Sequence, residues 1–143
     1  MGVLTDFILG TQQELASVPA DQAPISVLPG IDMKGVDPVK LEVLLGHLTG
    51  REFDPDLKAF PTVSGQASPD GPWVYGCSED LVRKLAALDD VALATLASWW
   101  ANTEEFRLDR WETHSVKSVL HEMRAFAQRS LAVGKPIHIW VSL

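Results

Sequence analysis

Hydrophobic side chains recur at helical spacing in five segments of the chain. In the longest, from Thr113 to about Ala132, apolar residues return every third or fourth position and charged residues take the opposite face. The other four segments begin at residues that cap helix N-termini: Thr11, Asp37 before Pro38, Ser78 and Asp89. Gly50 and Gly134 are placed to end two of these helices. The pattern therefore predicts a mostly helical protein.

Four shorter segments have the composition of strands. Segment 137–143 alternates apolar and polar residues at first and is rich in β-branched side chains. The others are 73–75, 6–9, for which a helix is an alternative, and 25–28. We expect one mostly helical α+β domain over residues 1–143, with a small sheet that includes the C-terminal strand and is covered by helices on one side. C-terminal tags or truncations should therefore be poorly tolerated.

Two segments rich in proline, glycine and small polar residues, 19–35 and 61–72, are predicted to be irregular loops. Neither is long enough to require a domain boundary. We interpret the second as a surface loop, with a mobile lid as the alternative role.

The charge balance narrows the classes of partner. The chain has 143 residues, of which 46% are hydrophobic, and a net charge of −7. An acidic chain without a basic patch is poorly suited to nucleic acid or to anionic membranes, and it favours a basic partner or a cationic ligand. The alternative is that the acidity only keeps the protein soluble. One cysteine, Cys77, permits no internal disulfide and fits a reducing compartment. No secretory signal or long apolar run is visible, so the predicted location is the cytoplasm.

Several chemistries lack their motifs. Glycine-rich phosphate loops, a nucleophile elbow, the zinc-protease helix and the calcium loop are all missing from the sequence. His114 and His121 are seven residues apart, which on a helix is roughly 10 Å. A single metal ion, with bonds to histidine nitrogen of about 2 Å, cannot join them. We therefore predict no metal and no cofactor.

Tryptophans mark the strongest candidate for a binding surface. Trp99, Trp100 and Trp111 lie within 13 residues, and Glu104 lies between them. Adjacent residues on a helix point about 100° apart, so Trp99 and Trp100 cannot both face the core squarely. Because tryptophan is enriched at binding hot spots, these four residues are the predicted binding site. The alternative is that both adjacent tryptophans are partly buried core residues at a helix end.

Paired carboxylates next to a histidine are the candidate catalytic group. Glu104 and Glu105 could divide acid and base roles, with His114 near the start of the long helix as a general base. The structural alternative is a solvated turn, whose acids favour a helix N-terminus, and a surface histidine. Cys77 lies between a predicted strand and a helix N-terminus, but with no basic neighbour in view we expect an inert, buried thiol.

Five segments of the sequence carry a resemblance to a known family. They are 34–41, 48–50, 71–74, 103–106 and 134–143. Together they resemble a family of small uncharacterised bacterial proteins of about this length, over nearly the whole chain. The resemblance implies a bacterial cytoplasmic protein and carries over no activity and no catalytic residue.

Two functions follow as hypotheses. The first is a non-catalytic interaction domain that binds a basic protein through an acidic, tryptophan-containing surface, for example by neutralising a basic toxin. The second is a small hydrolase or ligand-processing enzyme that uses Glu104, Glu105 and His114, with Trp99 or Trp111 as a wall and loop 61–72 as a lid. The oligomeric state and the identity of the partner are left open by the sequence.

Overall fold

A computed structural model describes residues 4–63 and 71–142. In chain order the elements are β1 (Leu4–Leu9), α1 (Gln12–Ala16), a 3₁₀ helix (Pro24–Ser26), β2 (Gly30–Asp32), α2 (Pro38–Thr49), β3 (Trp73–Gly76), α3 (Glu79–Ala86), α4 (Asp90–Ala101), α5 (Glu104–Leu108), α6 (Thr113–Val133) and β4 (Ile137–Ser142). More of the described residues are in helices than in strands, and the strands form a four-stranded antiparallel sheet. The predicted mostly helical α+β fold is confirmed.

Local capping chemistry starts four of the five predicted helices as expected. The Thr11 hydroxyl accepts from the Glu14 amide while the Glu14 carboxylate accepts from the Thr11 amide, which is a complete capping box. The side chains of Asp37, Ser78 and Asp89 each accept from a backbone amide three residues on. The fifth, α6, begins after Glu112 without a side-chain cap. Its stability therefore depends on packing of its apolar face.

One prediction for an irregular region is wrong, and another is tested only in part. Segment 25–28 is not a strand, because Pro24 opens a 3₁₀ helix there, and the strand β2 forms slightly later. Both elements lie inside the segment that was expected to be a loop. The first residues of the second predicted loop pair with β3. A bridge joins Thr62 to Tyr75, and the Val63 amide donates to the Val74 carbonyl over 2.9 Å. The rest of that loop, 64–70, lies outside the described residues.

The sheet has the strand order β2-β1-β4-β3, with every pair antiparallel. The C-terminal strand β4 is therefore internal and hydrogen-bonded on both sides. Directly opposite residues share a face of an antiparallel sheet. The inner face carries Phe7 and Ile139, which pair directly and join one buried cluster with side chains of α2, α3, α4, α5 and α6. Helix α6 packs along both α3 and α4 behind this face.

The outer face of the sheet is covered in part by the 3₁₀ helix and not by the main core. Ile8 and Val74 lie there and are buried, yet they are not part of the main core cluster. The 3₁₀ helix contacts β1 and β2, and its Ile25 lies close to Gly30, the residue opposite Ile8. The outer face is thus a second, smaller packing region. None of the helices in the described part of the chain combines the length and hydropathy that a membrane span requires.

His138 is buried on this outer face, opposite Ile8. Its Nδ1 lies 3.0 Å from the Gly10 carbonyl oxygen, and because a carbonyl only accepts, Nδ1 carries a proton and donates. Burial lowers the pKa of His138, an effect that the Gly10 hydrogen bond partly opposes. The folded protein therefore holds this imidazole neutral at pH values where the unfolded chain already binds a proton.

We expect the free energy of unfolding to fall as the pH drops below about 6.5, the unfolded value for histidine, towards the lower folded pKa of His138. This contribution is at most about 1.4 kcal/mol per pH unit. His138→Asn keeps a donor near the position of Nδ1 but does not titrate, so urea unfolding at pH 7.5 and 5.5 should show a smaller loss for the variant. Equal losses in the two proteins would contradict the assignment.

Candidate functional site

The predicted binding residues lie along the segment from the end of α4 to the start of α6, here called the α4–α6 connection (residues 99–112). Trp100 is 0% exposed. Its indole Nε1 donates to the Lys40 carbonyl over 3.2 Å, and its ring meets Phe106 edge to face at 4.8 Å. Because a partner cannot reach this side chain in the folded domain, we correct its expected place on the binding surface. Trp100 is a core residue.

Trp99 points elsewhere, as the 100° between neighbours requires. Its indole is half-buried and stacks on the imidazole of His47 in α2, with ring centroids 3.6 Å apart and planes 13° apart. His47 itself is exposed. The stacked pair therefore covers the junction of α2 and α4 and leaves part of the indole at the surface.

Trp111 is also half-buried and lies at the far end of the connection. Its ring meets Phe106 edge to face at 5.1 Å, so Phe106 is contacted by both Trp100 and Trp111. The other contact of Trp111 is with Gly35, where the backbone has φ +86° and a Cβ atom would lie 2.8 Å from the indole. Glycine thus serves two needs at this position: a left-handed backbone and a close approach of the ring.

The predicted catalytic residues form no common site among the described contacts. Glu104 and Glu105 occupy the first turn of the short helix α5, where carboxylates complement the helix dipole. His114 is exposed, and its Nδ1 lies 3.1 Å from a carboxylate oxygen of Glu112. In residues 4–63 and 71–142, no hydrogen bond or ion pair joins either glutamate to His114. The contacts give the hydrolase hypothesis no support.

Sequence reasoning missed Lys40, which is only 3% exposed. Its Nζ lies 2.5 Å from the Asp109 carboxylate, 3.7 Å from that of Asp37, and 5.3 Å from the centroid of the Phe106 ring. The ammonium group therefore ties α2 to the end of α5. The available signal was its position between Asp37 and the buried leucines of α2, since a lysine on an apolar helix face needs a carboxylate partner.

A second missed group lies on the outer face of the sheet. Asp6 in β1 is directly opposite Asp32 in β2 on one side and Trp140 in β4 on the other. Asp6 is 8% exposed. Burial first, and then the charge of Asp32, raises the pKa of the Asp6 carboxyl above its ordinary range. Strand alternation places Asp6 and Trp140 on a face, but only the register shows that they are neighbours.

A cavity of about 250 Å³ lies between the start of α3 and the end of α6. Cys77 and Ser130 are among its lining residues. Burial raises the pKa of the Cys77 thiol to about 12, so the thiol is protonated at neutral pH and is a poor nucleophile. The hydroxyl of Ser130 already donates to the Lys135 carbonyl over 2.5 Å. This cavity offers space but no activated group.

The packing of the Trp111 ring against Gly35 can be tested by substitution of the glycine. Gly35→Ala should destabilise the protein by about 3 kcal/mol, because it combines left-handed backbone strain with a clash against the indole. Gly50 is the matched control, since it has φ +70° and open space around its Cβ position. Gly50→Ala should cost about 1 kcal/mol, from the backbone alone. Equal losses in urea denaturation would show that the Trp111 contact contributes nothing.

The Lys40 ion pair predicts an unequal effect of its two halves. Asp109→Ala should cost about 2 kcal/mol, because it leaves the buried ammonium with only the more distant Asp37. Lys40→Met removes that charge and keeps the apolar stem, so its cost should stay within about 1 kcal/mol. In the double variant the cost of Asp109→Ala should largely disappear. Additive losses in denaturant titrations would contradict this account.

Comparison with known proteins gives no relative for this chain. No family model matches it, no curated protein matches it and no solved structure matches it. The resemblance to a family of small bacterial proteins stays a prediction.

Proposed function

We propose that this chain is a non-catalytic protein-binding domain, and that the α4–α6 connection is the surface that contacts its partner. The partner is a protein with a basic surface. Neutralisation of a basic toxin is one concrete form of this function.

The observation that carries the proposal is the exposure of Leu108, which is 74% exposed at the end of α5. A single exposed leucine is ordinary on a protein surface. Here, however, the half-buried Trp111 follows three residues later, and the half-buried Trp99 precedes α5, so each leaves part of its ring at the surface. A leucine and two tryptophans on one short connection supply the apolar anchors that protein interfaces use.

Charge supports a basic partner. The whole chain has a net charge of −7. Glu104, at the start of α5, and Glu112, just before α6, are both exposed. The connection carries four acidic residues and two arginines, Arg107 and Arg110. Its excess of carboxylates speeds the approach of a positively charged partner and disfavours acidic ones. They also make the association weaker at high salt.

The connection is also held in one conformation before any partner binds. Phe106 is fully buried beneath it, between Trp100 and Trp111. The Lys40–Asp109 ion pair fastens its middle to α2. A surface fixed in this way loses little conformational entropy on binding, so more of the contact energy appears as affinity.

Leu108→Ser tests the proposal with little risk to the fold, because the side chain is mostly in solvent. The N-terminally tagged protein captures partners from a lysate of the organism that makes it, and the captured proteins are quantified by mass spectrometry. We expect a stoichiometric basic protein with wild type, and at least a tenfold weaker affinity of that purified protein for Leu108→Ser, which equals about 1.4 kcal/mol. Raising the salt to 0.5 M should weaken binding further.

Val91→Ser is the matched control, because Val91 is 77% exposed in the first turn of α4, away from the connection. It should bind like wild type. The proposal fails if no stoichiometric partner is captured, if the partner is acidic, or if Leu108→Ser and Val91→Ser bind equally well.

A further inference from the structure

Three side chains form a row across the outer face of the sheet. Asp32 of β2, Asp6 of β1 and Trp140 of β4 are directly opposite one another in successive strands. Directly opposite residues have Cβ atoms about 5 Å apart. The row therefore places two carboxylates and one indole within reach of a single small group. It lies on the face opposite the helices α2 to α6, and it is separate from the α4–α6 connection.

Asp6 at the centre of the row is more than nine-tenths buried, at 8% exposed. In the part of the chain that the structure describes, no hydrogen-bond donor contacts its carboxylate. Its oxygens are not among the fully enclosed polar atoms without a partner, so they keep some contact with solvent. Burying a carboxylate without a donor is costly, and the neighbouring Asp32 increases that cost.

The two carboxylates have no ion-pair partner within residues 4–63 and 71–142. No lysine, arginine or histidine there forms an ion pair with Asp6 or Asp32. Asp32 accepts one hydrogen bond, from the backbone amide of Lys34 over 3.0 Å, and is otherwise exposed. The raised pKa of Asp6 reports the same imbalance. The pair is thus a negative site for which the described fold supplies no cation.

We propose that Asp6, Asp32 and Trp140 bind the guanidinium group of an arginine side chain presented by another protein. A guanidinium carries one positive charge and a planar fork of N–H donors, which suits carboxylate oxygens that lack donors. Its flat face can stack on an indole, and Trp140, directly opposite Asp6, is only partly buried. An ammonium group has the charge but not the plane, so arginine fits the row better than lysine.

The site is rigid, which favours recognition of one group. Strand β1 is hydrogen-bonded to β2 on one side and to β4 on the other, so the spacing of the three side chains is set by the sheet. The inference goes beyond the proposed function and does not rest on it, because the two surfaces share no residue.

The test is an NMR titration of the full-length, ¹⁵N-labelled protein, observed at the indole N–H of Trp140. Trp140→Phe assigns that signal among the five tryptophans. The probe is the peptide acetyl-Gly-Arg-Gly-amide, and its neutral counterpart carries citrulline in place of arginine. We expect a saturable shift with the arginine peptide, with a dissociation constant on the order of 1 mM. The citrulline peptide should give none.

Asp6→Asn should weaken arginine binding at least tenfold and raise the melting temperature by about 3 °C, because it removes the buried charge. Asp32→Asn, at an exposed position, should also weaken binding without loss of stability. Asp21→Asn is the matched control, since Asp21 is an exposed acid outside the sheet, and it should bind like wild type.

Free L-arginine should bind at least fivefold more weakly than the peptide, because its α-carboxylate is repelled by the aspartates. Equal binding of free arginine would overturn the assignment to a protein side chain. The proposal also fails if the citrulline peptide gives the same shift, if Asp6→Asn binds as well as wild type, or if Asp6→Asn lowers the melting temperature.

Discussion

The buried indole of Trp100 holds together the part of the molecule that carries the proposed binding surface. It belongs to α4, donates to the backbone of α2 and meets Phe106 of α5 edge to face. Phe106 in turn supports Trp111 just before α6. One fully buried side chain therefore fixes the relative positions of three helices, and the exposed residues of the α4–α6 connection depend on it.

The same arrangement explains why residues of one type have different roles. Trp100 is enclosed because α2 and α5 pack on both sides of it, whereas Trp99, one position earlier, turns to the surface and stacks on His47. Trp111 reaches its position only because Gly35 leaves room for the ring. Packing thus separates a structural tryptophan from two that remain available for contact.

The two faces of the sheet differ in what they bury. The inner face joins Phe7 and Ile139 to the helices in one continuous core. The outer face buries Ile8 and His138 beside a carboxylate, Asp6, that has no donor among the described residues. The first arrangement maximises apolar burial and accounts for stability. The second retains an unfavourable charge, and stability alone gives no reason for it.

The sequence by itself predicted five of the six α-helices in the described part of the chain, all but the short α5, and three of the four strands there. Caps such as Asp37 and Asp89 act on amides three residues away, and the apolar repeat of α6 needs no distant partner to be recognised. The short strand β2 was missed and segment 25–28 was misassigned, because a three-residue strand exists only through its pairing with β1. Local signals cannot report such pairing.

Only the tertiary structure decided which residues meet. Which of the two adjacent tryptophans is buried depends on where α2 and α5 lie. The residues at positions 99 and 100 alone carry no information on that packing. The contact of Lys40 with Asp109 spans 69 positions, and the row through Asp6 joins both ends of the chain. Periodicity predicts which face of an element a side chain takes, whereas strand register and helix packing decide what lies opposite it.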